Sequence, residues 1–202
     1  MEPVEDVKES WSVVSSTEQT RNRLIAVRTD KVRMPDDQTA ERSVVTHPGA
    51  VAILALDDAD RVLMIRQYRH PVGRLLWEIP AGLRDGDGES PLRTAQRELF
   101  EETGYRAREW QTLVDYFSSP GFSTERLRIF LARGLEPAGG RPHQRQHEEK
   151  FIVTEWVPLA EAVRLALDGK LHNGPAVMGV LAASAALAQR FSGLRPAAAP
   201  ET

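Results

Sequence analysis

One run of six apolar residues, at positions 51–56, constrains the fold more than any other stretch of this sequence. It is followed by the turn-forming residues 57–60 and by a second β-rich stretch at 61–68. A strand with no polar position is buried on both faces, whereas a strand at a surface alternates apolar and polar residues. The sequence therefore predicts two strands joined by a turn, as a hairpin at the centre of the core.

Further strands and helices can be placed on either side of this hairpin. Residues rich in β-branched side chains, with a Pro-Asp-Asp turn between the last two stretches, predict a small antiparallel sheet at 11–15, 24–34 and 42–46. Later strands are predicted at 110–116, 126–132 and 151–157, and helices at 90–103, 159–168 and 175–191. The order β-rich, helix, β-rich, helix, helix indicates an α+β fold without strict βαβ alternation.

The length of 202 residues, 41% of them hydrophobic, suits one ordinary core. We expect an N-terminal β extension at 1–46, a main domain at 47–194 and a disordered Pro/Ala-rich tail at 195–202 without a chemical role. The apolar run at 176–188 contains small residues and falls short of the roughly 20 residues that span a bilayer. It predicts a helix packed in a core or an interface, and no membrane association.

Charge and cysteine content restrict the partners and the compartment. The 26 Lys and Arg residues are outnumbered by 29 Asp and Glu, so the net charge of -3 predicts no general attraction for nucleic acid. There is no cysteine, which excludes disulfides, thiolate metal sites and a cysteine nucleophile. A cysteine-free chain fits a reducing compartment, and we expect the protein to be cytoplasmic.

The helix predicted at 90–103 has recognisable ends and one acidic face. Ser90 is a suitable N-cap and Gly104 follows the last turn. Three glutamates lie at i, i+3 and i+4 and therefore share a face: Glu98, Glu101 and Glu102. Like charges at these spacings cost about 0.2 to 0.5 kcal/mol per pair, which a divalent cation such as Mg²⁺ would reverse. The alternative is an ordinary solvated helix face.

The residues around these glutamates favour the metal-binding alternative. The residues that form a pattern of defined spacing are Gly82, Glu89, Arg97, Glu98, Glu101, Glu102 and Gly104. They resemble the Nudix box, which reads Gly, five residues, Glu, seven residues, then Arg-Glu-apolar-x-Glu-Glu-x-Gly-apolar. Six residues, instead of five, separate Gly82 from Glu89, and the extra residue lies in a glycine-rich loop that can absorb it.

The resemblance implies a Nudix fold, in which a mixed β-sheet is flanked by helices as an α/β/α sandwich. It also implies a Mg²⁺ cofactor, with Mn²⁺ as a substitute. Direct ligands would be Glu98, Glu102 and the carbonyl of Ala81, with Glu101 as a further or water-bridged ligand. Arg97 would hold the carboxylates in place through charge-assisted hydrogen bonds. Gly82, Glu89 and Gly104 would shape the box, although Glu89 also suits simple helix capping.

A Ser-Pro-Gly sequence at 119–121, with its proline sixteen residues after Gly104, is similar to the signature of the ADP-ribose pyrophosphatase branch. The stretches at 67–69 and 77–82 also resemble that branch, in its actinobacterial form. This implies hydrolysis of ADP-ribose to AMP and ribose 5-phosphate. The alternatives are another nucleoside diphosphate derivative, such as a nucleotide sugar or a dinucleoside polyphosphate, and a non-catalytic ADP-ribose sensor.

The resemblance also assigns roles outside the box. Glu149, or failing it Glu148, would be the general base, although the loop 143–150 also fits a solvated surface excursion. Candidates for substrate binding are Arg66, Arg69, Glu78, Gly121 and Glu125. Arginine suits phosphates, but surface salt bridges are an equally good account of Arg66 and Arg69. Members of the branch pack their N-terminal sheets between two subunits, which implies a homodimer.

Overall fold

The computed structural model describes residues 3–86, 88–139 and 151–201 of the chain. Its internal contacts divide it into two compact units. The N-terminal unit comprises Met1–Pro48 with Ser119–Glu125, and the main unit comprises Gly49–Ser118 with Arg126–Thr202.

The N-terminal unit contains an antiparallel sheet with the strand order β1-β2-β3. Its strands are β1 (Val13–Arg21), β2 (Ala26–Arg33) and β3 (Thr39–Thr46). The predicted antiparallel sheet is confirmed, but β1 runs well beyond the predicted 11–15. All nine residues of β1 are exposed, so no alternation of apolar and polar residues marks its length.

The main unit contains two sheets and the helices. Its strands are β4 (Ala50–Ala55), β5 (Arg61–Arg69), β6 (Arg74–Glu78), β7 (Ala81–Leu83), β8 (Tyr105–Phe117), β9 (Arg126–Pro137), β10 (Val153–Pro158) and β11 (Arg195–Pro196). Its helices are α1 (Pro91–Thr103), α2 (Leu159–Leu167) and α3 (Gly174–Ala188), with a turn of 3-10 helix at His70–Val72. The strand orders are β11-β8-β9-β4-β7 and β10-β5-β6. Mixed sheets with helices give the α+β class that the sequence predicts.

Strand β4 separates the core into two layers, because every one of its residues is buried. Ala52 and Leu54 point into one apolar cluster, which also contains residues of α2 and α3. Val51 and Ile53 point into the other, together with Leu99 of α1. The helices thus lie on opposite faces of the sheet, as expected for the α/β/α sandwich.

The prediction of a paired hairpin at the centre is wrong, although both of its strands and the turn between them are present. β4 pairs in parallel with β9 and antiparallel with β7, while β5 pairs with β10 and β6. A single bridge, Leu56 to Val62, joins the two strands beside the turn. Local pattern marks a strand, but its neighbours are decided by distant segments, here a ladder of six residue pairs with β9.

Helix α3 contains the small-residue run and packs closely on the sheet. A Cβ at Gly179 would lie 3.0 Å from Ile79 Cδ1 and 3.3 Å from Leu54 Cδ1, so glycine permits this approach. The predicted core helix is therefore confirmed. Within the described residues, no helix has the length and apolar character needed to cross a membrane.

The segment after α3 differs from the disordered tail that the sequence predicts at 195–202. β11 pairs with β8. The buried Arg128 donates hydrogen bonds to the carbonyls of Ala199 and Pro200, at 2.7 Å and 3.1 Å. A buried guanidinium requires acceptors, and the backbone of this segment supplies two of them.

Candidate active site

Helix α1 begins and ends where the sequence predicts. The Ser90 side chain accepts a hydrogen bond from the backbone N–H of Arg93 at 3.3 Å. Gly104 adopts a left-handed conformation with φ 76°, and its N–H donates to the Phe100 carbonyl at 2.8 Å. Leu99 is fully buried in the core, so the rotation of the helix about its axis is fixed.

A neighbouring face of α1 contacts strand β7. A Cβ on Gly82 would overlap the carboxylate of Glu98, so only glycine leaves room for that side chain. One helical turn later, Glu102 accepts a hydrogen bond from the backbone N–H of Ala81, at 2.9 Å, and is only 8% exposed. Two glutamates thus meet consecutive residues of the same short strand.

Arg97 lies among the acidic residues of the box. Its Nη1 donates to Glu98 at 2.6 Å and to Glu101 at 3.1 Å, and its Nη2 donates to Glu89 at 3.1 Å. The hydroxyl of Thr94 also donates to Glu89, at 3.1 Å. The Arg97 guanidinium lowers the pKa of Glu89, and the carboxylates of Glu89 and Glu98 raise the pKa of Arg97 in turn. One arginine therefore holds three like-charged side chains together.

This arrangement suits a hard, partly hydrated cation better than an ion enclosed by protein. In the described part of the chain, no three His, Asp or Glu side chains are close enough to form a complete metal site. Mg²⁺ keeps several waters and uses one or two carboxylates together with substrate phosphates. Glu98 and Glu102 offer such carboxylates, and the missing Cβ of Gly82 lets the Glu98 carboxylate lie directly against the backbone of β7. The donor chemistry therefore fits Mg²⁺.

Glu78 and Arg69 form a two-point ion pair at the end of β6. The Glu78 carboxylate is 1% exposed and accepts hydrogen bonds from Arg69 Nε at 2.8 Å and Nη2 at 2.6 Å. The Arg69 side chain is 44% exposed. Glu78 is thus placed to orient Arg69. The guanidinium of Arg66 lies over the Trp77 ring, 5.3 Å from its centre.

Gly121 and Glu125 belong to the N-terminal unit. Their loop is attached to β3, because the N–H of Val45 donates to the Phe122 carbonyl at 2.7 Å. Glu125 Oε1 lies 3.5 Å from His47 Nδ1. Gly121 is exposed, and a Cβ on it would meet nothing within 4 Å. Both positions remain candidates for substrate binding. The two candidates for the base, Glu148 and Glu149, lie outside the described residues.

Sequence reasoning missed two buried polar residues, one in the box and one in strand β9. Thr94 is buried beside Glu89, and only its helical spacing from Glu98 and Arg97 hints at this position. Arg128 is the clearer case, because a charged residue inside the apolar stretch of β9 is a detectable signal. It forms a buried ion pair with Asp115, at 2.7 Å.

The sequence also resembles proteins of a known family. The family model described as NUDIX domain matches residues 46–178. The chain is 48% identical to the ADP-ribose pyrophosphatase of Mycobacterium tuberculosis over 175 residues, which cover 87% of this chain and 84% of that protein. It is 36% identical to the methanol dehydrogenase activator of Bacillus methanolicus over 161 residues, which cover 78% and 84% of the two proteins.

The fold comparison agrees with these matches. The crystal structure of an ADP compounds hydrolase matches with a TM-score of 0.77 at 21% identity, covering 92% of this chain and 98% of that chain. At this level of identity the match concerns the fold. It covers a larger share of the chain than the family model, which matches residues 46–178.

Proposed function

The chain belongs to the NUDIX family, and from this we propose that it hydrolyses the pyrophosphate bond of ADP-ribose, giving AMP and ribose 5-phosphate. The observation that carries the proposal is the position of Glu98 and Glu102 against β7, with Arg97 between the acidic side chains. The similarity to the M. tuberculosis ADP-ribose pyrophosphatase supports the choice of substrate.

Hydrolysis of a pyrophosphate requires neutralisation of the phosphate charges, a water molecule in line with the leaving group, and a base for that water. We assign the first requirement to a bound Mg²⁺, for which Mn²⁺ substitutes. Glu98, Glu102 and the carbonyl of Ala81 would hold it, with Glu101 as a further or water-bridged ligand. Arg97 and Glu89 would keep these ligands in position through the hydrogen bonds described above.

The remaining roles fall to residues around the box. Glu149, or failing it Glu148, would accept the proton of the attacking water, an assignment that rests on family resemblance alone. Arg69 would contact the substrate, since Glu78 fixes its orientation and almost half of its side chain is exposed. Arg66 is a second candidate for the phosphates or the terminal ribose, and Gly121 and Glu125 are candidates in the N-terminal unit.

We also propose that the protein is a cytoplasmic homodimer whose N-terminal sheet takes part in the subunit interface. β1 lies at the edge of that sheet and is exposed along its whole length. The side chains of Val13 and Val14 are about half exposed. An uncovered edge strand with apolar residues is a surface to which another chain can add. Analytical ultracentrifugation would test the dimer, and a monomer at micromolar concentration would contradict it.

Product analysis by chromatography tests the reaction. The purified protein would be incubated with ADP-ribose, a nucleotide sugar and a dinucleoside polyphosphate, each with and without Mg²⁺. We expect AMP and ribose 5-phosphate from ADP-ribose, only when the cation is present. Cleavage of another compound with ADP-ribose left intact would overturn the substrate, and no cleavage at all would favour a sensor.

A matched pair of variants connects the reaction to the site. Glu102→Gln removes a proposed ligand, and we expect it to abolish detectable product formation. Glu161→Gln is the control, because Glu161 is an exposed glutamate of α2 that pairs with Arg164. Equal loss of activity in both variants would contradict the proposed role of Glu102.

A further inference from the structure

The segment 195–201 is held to the main unit by a buried cluster of charges. Arg128 is 2% exposed and forms two hydrogen bonds with Asp115, at 2.7 Å and 2.8 Å. Arg195 donates to the same carboxylate at 2.9 Å. The remaining hydrogen bonds of Arg128 go to the carbonyls of Ala199 and Pro200. These contacts fix the path of the backbone up to residue 200.

The next residue, Glu201, reaches the loop that follows β7. Its two carboxylate oxygens accept hydrogen bonds from Arg84 Nη1 at 2.8 Å and 2.9 Å. Both side chains are largely buried, with 25% of Arg84 and 20% of Glu201 exposed. The backbone N–H of Arg84 donates to the Gly49 carbonyl at 3.1 Å, so both its backbone and its side chain are anchored.

Arg84 directly follows the strand on which the candidate site is built. β7 is only three residues long and lies at the edge of its sheet, where β4 is its neighbour. The loop after it contains Gly86 and Gly88, which restrict the backbone little. A strand of three residues at a sheet edge has one neighbouring strand, so a contact at its end adds to the few hydrogen bonds that hold it. The Arg84–Glu201 pair supplies such a contact where the strand ends.

We propose that segment 195–201 is a positioning strap for the active site and that Glu201 is its positioning residue. By holding Arg84, Glu201 holds Ala81 and Gly82 against Glu102 and Glu98. The strap itself contacts neither the substrate nor the cation. The consequence for cation binding rests on the function proposed above, whereas the effect on β7 can be measured without any cation.

The variants that test the strap are Glu201→Gln, Arg84→Gln and the double variant, with Glu161→Gln as the control for loss of an exposed ion pair. Hydrogen–deuterium exchange of the full chain, without added cation, would report on the N–H of Ala81. Titration with Mn²⁺, followed by electron paramagnetic resonance, would report on cation affinity. Melting temperatures would show that each variant is folded.

We expect faster exchange at residues 81–83 in both single variants, and a dissociation constant for Mn²⁺ that rises by up to about tenfold. The double variant should be no worse than either single variant, because the two side chains act as one unit. The control should match the wild type. Because the strap does not contact the substrate, the KM for ADP-ribose at saturating cation should change little.

Two results would overturn the strap. One is unchanged exchange at 81–83 in Glu201→Gln, and the other is a double variant whose effects are the sum of the two single variants. A wild-type protein that binds no Mn²⁺ would instead overturn the proposed cation site, and the exchange data would still decide whether Glu201 positions β7.

Discussion

Gly82 of β7 and Glu98 of α1 are packed so closely that a methyl group on Gly82 would overlap the Glu98 carboxylate. The glycine is not required by a turn, because its φ lies outside the left-handed region. It is required by the approach of the helix side chain to the strand backbone. Glycine at position 82 therefore determines where the Glu98 side chain can lie.

Replacement of Gly82 by alanine should disable the enzyme while leaving the core intact. The added methyl group must displace Glu98 or β7, and a misplacement of about 1 Å in an active site can cost about 100-fold in rate. We expect kcat for ADP-ribose to fall by about that factor, and cation affinity to fall with it. Steady-state kinetics at several Mg²⁺ concentrations would measure both.

Gly174→Ala provides the control, because a Cβ on Gly174 meets nothing within 4 Å and its φ is also outside the left-handed region. It should have wild-type kinetics. If Gly82→Ala retained full activity at low Mg²⁺ concentration, the contact between Gly82 and Glu98 would have no part in catalysis.

Even lysine at position 97 should lower the activity. Its planar guanidinium reaches Glu89, Glu98 and Glu101 at once, whereas an ammonium is a point charge that cannot span all three. Loss of such an orienting group typically costs about 10-fold to 100-fold in metal affinity or activity. We expect Arg97→Lys to lower kcat/KM within that range, as measured with ADP-ribose and Mg²⁺.

The matched control for Arg97→Lys is Arg93→Lys, one helical turn earlier on the exposed surface of α1. It should leave kcat/KM unchanged. Equal effects of the two substitutions would mean that the helix tolerates no change of arginine in general, and would remove the specific role of Arg97.

The acidic helix could be predicted from the sequence in detail, because its determinants are local. Ser90 and Gly104 mark its ends, and the spacing of Glu98 and Glu102 puts them on one face. The parallel pairing of β4 with β9 could not be predicted, since it joins segments far apart in the chain. Short apolar runs indicate a strand without identifying its neighbours.

The contacts of the segment 195–201 were missed for a related reason. Its Pro/Ala-rich composition is typical of a disordered tail, and composition carries no information about a partner elsewhere in the chain. The partner is Arg128, whose burial creates a demand for carbonyl acceptors. A charged residue inside an apolar strand therefore indicates that some other segment must cover it.

Glu149→Gln should lower turnover and leave substrate binding nearly unchanged, as expected for a general base. The substitution keeps the size of the side chain but removes its ability to accept a proton, so kcat should fall by about 100-fold to 10,000-fold. KM should change little. Glu148→Gln is the natural comparison, and a larger loss of kcat in that variant would transfer the role to Glu148. Retained turnover in both would place the base elsewhere.

Asp115→Asn should destabilise the fold more than loss of a surface ion pair. The side chains of Arg128 and Asp115 are 2% and 9% exposed, and the substitution leaves a buried guanidinium without its counter-charge. Breaking one side of a buried pair costs about 3 to 5 kcal/mol. Urea denaturation should show a loss of that order in the free energy of unfolding. Asp168→Asn, in an exposed pair with Arg164, should cost far less.

The stabilisation by Asp115 should also disappear in acid. Burial alone would raise the pKa of Asp115, but hydrogen bonds from Arg128 and Arg195 outweigh it and lower the pKa below the ordinary 3.8. A carboxyl with a lowered pKa contributes its full stability above the unfolded pKa and loses it as the pH falls through the folded value. The difference in unfolding free energy between wild type and Asp115→Asn should therefore be constant from about pH 5 to 7 and shrink below the ordinary pKa. A difference that stayed constant to pH 2.5, or grew, would show that Asp115 does not stabilise the fold through its charge.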